Sequence, residues 1–195
     1  MEIVKAAQEL FRQGDIHTVT IEQIADAADI GKGTVYKHFK SKDEIFARIL
    51  IDQNRAMRAA IANIEPTTGF KTRLDRIIET IWEYDMQDAS LLHRINQHLG
   101  SGLLTRNLGP EMLKEFGDMQ EEDTAFYEAL LSDAQQRGEV VNAPLEALLF
   151  CATAAIDGAI VHFWQLESLG VVTKEQQAGY LEQLKKFVYR ALKAN

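Results

Sequence analysis

The sequence predicts an all-α fold: an N-terminal three-helix unit of helix-turn-helix type and a larger C-terminal helical body, about nine helices in all. Three observations predict it. The 195 residues contain only three prolines (Pro66, Pro110, Pro144) and almost no run alternating apolar and polar with period two. Apolar residues recur instead at spacings of three and four. Capping boxes at Thr20–Gln23, Ser41–Glu44 and Thr173–Gln176 mark helix starts, because each pairs a hydroxyl with a carboxyl or amide that satisfies orphan backbone amides.

The elements follow in order. The first helix covers about residues 2–13, with Ile3, Ala6, Ala7, Leu10 and Phe11 on one stripe, and stops at Gly14. The Thr20 box starts a short second helix ending near Ala28. A tight break at Asp29-Ile30-Gly31 precedes a third short helix ending near Phe39. The Ser41 box opens a long fourth helix toward Ile64. Further helices are expected at about 69–87, 89–100, 110–137, 144–169 and 173–193, with Pro110 and Pro144 in first-turn positions. Short helices flanked by basic residues give way to long apolar ones inside the fourth helix. The expected domains are therefore residues 1–46 and 47–195.

Composition excludes several function classes. Hydrophobic content of 46% with 26% charged residues describes a soluble protein. Cys151 is the single cysteine, so a disulfide framework and a Cys-based zinc site are both excluded, as suits a cytoplasmic protein. The start, MEIVKAAQELFRQ, is too polar for a secretory signal. The most apolar run, Ala147–Ile156, is too short to span a bilayer and suits a buried helix. None of the five histidines has a Glu three positions earlier, and His93 and His98 do not share a helix face. With no nucleophile constellation either, we expect no catalytic residues, no metal and no cofactor.

The chemistry concentrates in GKGTVYKHFKSKDE, residues 31–44. A phosphate-binding P-loop fails on spacing: the position five before Gly31 is Asp26, and Lys32 is followed by Gly33 rather than Ser or Thr. A helix-turn-helix fits. Ile24, Ala25 and Ala28 pack the second helix, and Ile30, Val35 and Phe39 form the apolar side of the third. Lys32, Thr34, Tyr36, Lys37 and His38 are left outward, with Lys40 and Lys42 beyond. From Gly31 to Lys42 there are four lysines and no acid, whereas residues 1–50 hold seven basic and eight acidic residues; the positive charge is a local patch. A merely solvated basic helix end is the bland alternative.

The segment TVTIEQIADAADIGKGTVYKHFKSKDEIF resembles the DNA-binding segment of TetR-family transcriptional regulators, most specifically in its Thr-Val-Tyr-x-His-Phe-x-Ser-Lys-Asp-Glu-x-Phe portion. The resemblance covers residues 2–48 in detail and the remainder only in length and helix count. It implies a third helix in the major groove, with Gly31, Lys32, Thr34, Tyr36, Lys37 and His38 at the matching positions. Lys32 and Lys37 would read bases, and Tyr36, His38, Lys42 and Thr20 would contact phosphates. Two positions depart from the family's habit: Asp29 stands where a turn Gly is common, and Gly31 where a hydroxyl commonly caps the helix.

The body carries a net charge of −7 over residues 51–195, which would orient a locally basic head toward a polyanion. The resemblance also implies a homodimer closed by a four-helix interface of the last two long helices. The candidates are Leu148, Ala152, Ala155, Ala159 and Phe163 on one, and Tyr180, Leu184, Phe187 and Val188 on the other. Trp82, Met86, His93, Phe116, Met119, Tyr127 and Cys151 are candidate linings of an effector pocket for an apolar or aromatic small molecule, although such residues at helical spacing often only pack. The expected function is a ligand-responsive repressor on palindromic double-stranded DNA. A DNA-bound adaptor whose body binds a protein partner is the alternative, and a helical enzyme a distant third. Leu99-Gly100-Ser101-Gly102 is an expected hinge.

Overall fold

The computed structural model describes residues 2–64, 69–87, 91, 95 and 106–194. Among them are eight α-helices: α1 (Glu2–Gln13), α2 (Ile21–Ala27), α3 (Lys32–His38), α4 (Lys42–Ala62), α5 (Phe70–Gln87), α6 (Pro110–Gln136), α7 (Leu145–Ser168) and α8 (Gln177–Leu192). A 3-10 turn at Lys174–Gln176 leads into α8. The only extended pairing among the described residues is an isolated bridge between Val140 and Lys193. The helix expected at 89–100 and the hinge at 99–102 fall largely or wholly outside the described residues.

The helix boundaries follow from local chemistry. At Thr20 both halves of the capping box form: the Gln23 amide donates to the Thr20 hydroxyl at 3.2 Å, and the Thr20 amide to the Gln23 side chain at 2.8 Å. After α2 the chain reverses through Asp29, whose φ of 52° is left-handed, a conformation Asp tolerates through its short polar side chain. Gly31 caps α3 at an ordinary φ of −72° with no side-chain hydrogen bond. Pro110 begins α6, and Pro144 stands one residue before α7 as its cap.

The chain forms two compact units, Met1–Arg55 with Asp88–Gln120, and Ala56–Gln87 with Glu121–Asn195. The units do not follow the boundary expected at 46/47. The reason lies in the core of the first unit. Ala7, Phe11, Ile24, Val35, Phe39, Ile45 and Phe46 share it with Leu91, Ile95, Leu108, Met112, Phe116 and Met119, which are distant in sequence. The rings of Phe11 and Phe46 lie 4.8 Å apart at its centre.

Polar contacts fasten the start of α4 to residues 107–115 of the same unit. The Gly109 amide donates to Glu44 at 2.9 Å, and the Asn107 side chain donates to Asp43 at 2.6 Å. Both carboxylates are buried, so these bonds offset their desolvation. A Cβ on Gly109 would lie 2.8 Å from the Glu44 carboxylate, so a side chain there would displace that carboxylate. Arg48 grips Glu115 with both guanidinium arms, and Arg55 adds a bond at 2.9 Å, which together hold the Glu115 carboxyl below the ordinary range.

The second unit has its own core, in which Leu74, Ile78, Trp82, Leu131, Ile156, Ile160, Phe163, Leu184 and Val188 are buried. The Trp82 and Phe163 rings lie 5.5 Å apart, and those of Phe163 and Tyr180 5.8 Å. Lys185 is buried and bonded to Glu79 at 2.5 Å and to Glu182. The helix expected to be buried behaves otherwise. α7 is long and apolar enough to cross a membrane, yet only 17% of its most apolar 18-residue window is buried.

Candidate nucleic-acid interface

The α3 surface is built from the inside out. Val35 is wholly buried and Phe39 nearly so, which seats the helix against Ile24 and Ala25 of α2. With one face anchored, the 3.6-residue period turns Lys32, Gly33, Tyr36, Lys37 and His38 into solvent, and Thr34 is half-buried. Tyr36 keeps 47% of its surface exposed, an unusual position for a large aromatic without a partner molecule. Lys32 places its ammonium 5.7 Å from the Tyr36 ring centroid. A short helix exposing Lys, Tyr, Lys and His, with a half-buried Thr among them, has the cations and hydrogen-bonding groups that a DNA groove accepts.

Three positions acquire a meaning that spacing did not show. Thr20 is exposed, but its hydroxyl already serves the capping box. Lys32 forms an ion pair with Glu22 of α2, ten residues earlier, and each holds the other in its charged form. Lys42, expected at a phosphate, points into the fold. Its ammonium donates to the carbonyls of Ile16 at 2.7 Å, His17 at 2.9 Å and Val19 at 3.0 Å, and burial pushes its pKa down. Those three bonds match the three donors of an ammonium, so Lys42 closes the α1–α2 connection. Lys42→Met is accordingly expected to cost about 1–3 kcal/mol in urea unfolding, because part-buried carbonyls lose their donor.

The expected pocket residues do not form one group. Phe116 and Met119 are buried in the core of the first unit. Trp82, buried, and Met86, partly buried, belong to the second unit's main core, while Tyr127 packs in a smaller cluster of that unit with Ile61, Ile77 and Phe126. Cys151 is exposed on α7, and His93 lies outside the described residues. Sequence reading missed two acids of this unit, Asp85 and Asp157. Desolvation, with the Asp157 charge adding to it, pushes the Asp85 carboxyl to about 7; desolvation alone pushes that of Asp157 to about 6. Asp85 continues the inward stripe of α5 one turn beyond Trp82, a polar break that the helical period would have exposed to closer reading. Trp82 also buries its indole Nε1 without a hydrogen-bond partner among the described residues.

The interface residues divide as well. Phe163, Leu184 and Val188 are buried in the second unit's own core, and Leu148, Ala152, Ala155 and Ala159 pack against it. Tyr180 and Phe187 are exposed, the latter by 63%. The exposed side of α7 is a different stripe: Ala147, Phe150, Cys151, Ala154, Asp157, Gly158, His162 and Gln165. A helix apolar on all sides carries two stripes, and its sequence does not say which one its own core takes.

A capped short helix, a left-handed turn and a second short helix with an exposed basic-aromatic face define a helix-turn-helix DNA-binding protein. Known proteins agree. Residues 3–49 match the bacterial regulatory proteins of the tetR family. The HTH-type transcriptional regulator UidR of Escherichia coli is 27% identical over 139 residues, covering 71% of this chain and 67% of that protein. The probable acrEF/envCD operon repressor of Escherichia coli is 25% identical over 185 residues, covering 87% and 77%. The transcriptional regulator FadR of Bacillus subtilis, solved in complex with stearoyl-CoA, shares the fold at a TM-score of 0.71 and 17% identity, with 98% of each chain covered. The likeness to tetR-family regulatory proteins is thus carried by residues 3–49, and likeness to transcriptional regulators extends over 139 and 185 residues.

Proposed function

We propose that this protein is a cytoplasmic homodimeric repressor that holds a palindromic operator until a small molecule favours its non-binding form. The exposed Lys32, Tyr36, Lys37 and His38 surface of α3 carries this reading, with α3 as the helix that enters the major groove. Lys37 reads a base, and Tyr36 and His38 position the backbone. A repressor among the relatives, the acrEF/envCD one, supports the direction of control.

Dimerisation supplies the symmetry a palindrome needs. Its support is the apolar surface left open on α7 and α8, where Phe150 is 71% and Phe187 63% exposed. A second copy is the natural cover, because such stripes on two adjacent helices pair with themselves about a two-fold axis. A bilayer is a poor alternative cover, since Asp157 sits in the middle of α7.

The effector site belongs to the second unit, where Trp82, Met86 and Tyr127 offer apolar and aromatic contacts. FadR, bound to stearoyl-CoA, supports a small-molecule effector in this fold. The effector must bind the DNA-incompetent form more tightly, or it shifts nothing. The test begins with a site selected from a random duplex pool. Lys37→Ala is expected to weaken binding to that site about 10- to 100-fold, one lost base contact. Unchanged affinity in a moderate-salt mobility shift would remove α3 from the interface.

A further inference from the structure

The Glu22–Lys32 pair joins α2 to α3 on the surface expected to meet DNA, and no role in folding accounts for it. Both side chains are about half-exposed, at 56% and 47%, where an ion pair adds little to stability. A carboxylate here is unfavourable for any protein that binds only phosphates, because it repels them. It is also held in place. The Lys32 ammonium bonds it and holds it in its charged form. The Lys32 ammonium also lies 5.7 Å from the Tyr36 ring centroid.

We propose that Glu22 is a positioning residue for sequence discrimination: it holds the Lys32 ammonium at the α2–α3 crossing, away from phosphates and ready for a guanine edge. The inference rests on α3 being the recognition helix. An ammonium has three donors, and one bond to Glu22 leaves two. Guanine presents two acceptors in the major groove, O6 and N7, so a correctly placed guanine takes both without breaking the pair. A phosphate must either draw Lys32 off Glu22 or approach a fixed negative charge. Glu22 therefore penalises the phosphate-only mode, which supplies nearly all non-specific affinity, more than it penalises the specific one.

The test uses the full chain, a duplex selected from a random pool, and a random-sequence duplex of equal length, each titrated at several salt concentrations. Glu22→Gln is expected to raise affinity for the random duplex about 3- to 10-fold while changing affinity for the selected site less than about 2-fold. Repeating the selection with Glu22→Gln should relax the guanine preference at one position in each half-site. Glu2→Gln, which removes an equal charge elsewhere on the head, should leave the ratio of the two affinities unchanged. Equal shifts on both duplexes, or none, would overturn the proposal, as would a retained guanine preference. Lys37→Ala in the same titrations separates the two ideas: if it leaves the selected site's affinity intact, the recognition-helix reading itself has failed.

Discussion

The pair of substitutions Phe150→Glu and Phe187→Glu is expected to yield a folded monomer whose operator affinity is lower by about 10²- to 10⁴-fold, the range lost when two linked contacts become one. The two rings stand on α7 and α8, 71% and 63% exposed, so charging them removes no packing from the unit's own core. Helicity and urea midpoint should hold near wild type. In a dimer the same glutamates would face their own copies across the two-fold axis, where like charges deprived of water are strongly unfavourable. Two heads joined by a dimer present two α3 helices to sites about one DNA turn apart, and the first contact makes the second effectively intramolecular. Sedimentation and mobility shift check it together. A double variant that remains dimeric, or a monomer that binds the operator as tightly as wild type, would end the proposal. Phe163→Ala is the contrasting case, since Phe163 packs on Trp82 within the core and its loss should lower stability.

Asp85→Asn is expected to stabilise the protein at pH 8 by about 2–4 kcal/mol and to have little effect near pH 4. Asp85 stands on the inward face of α5, and its carboxyl is raised from 3.8 to about 7, first by desolvation and then by the Asp157 charge. The folded state therefore holds this proton more tightly than the unfolded chain. Below pH about 4 both states are protonated and the folded state carries no penalty. As pH rises toward and through 7, the unfolded chain ionises freely while the folded one resists, and stability falls. Asn cannot ionise, so the variant escapes the loss. Asp157, raised to about 6, adds a weaker contribution because α7 leaves it open to solvent on its outer side. Tyr127, also raised by burial first, feels Asp123, Asp157 and Asp85 together. Urea unfolding at pH 4, 6 and 8 decides the matter. A stability difference between variant and wild type that does not change with pH would show that Asp85 is not held protonated by the fold.

Much of the head could be read from its residues in order. The boundaries of α2 and α3 rest on signals only a few positions apart: the Thr20 box, the Asp29–Gly31 break, and the Val35–Phe39 spacing. Interactions of that range are written directly into the chain. The exposed positions of α3 follow from the same period once its apolar side is known. Longer-range questions escaped. Lys42 reads as one more surface lysine, and only the folded α1–α2 connection brings three carbonyls to its ammonium. Glu22 reads as an ordinary first-turn acid until the reversal at Asp29 swings Lys32 beside it.

The sequence by itself determined an all-helical chain, a capped helix-turn-helix with a basic outer face, and the absence of a disulfide framework, because each depends on composition or on neighbours within about one or two turns. The tertiary structure alone decided that residues 88–120 join the head's compact unit, and which of two apolar stripes on α7 serves its own core. The physical reason is that burial belongs to a surface formed by several helices at once. An apolar residue at helical spacing carries the same preference for burial whether its own chain or another molecule supplies the cover.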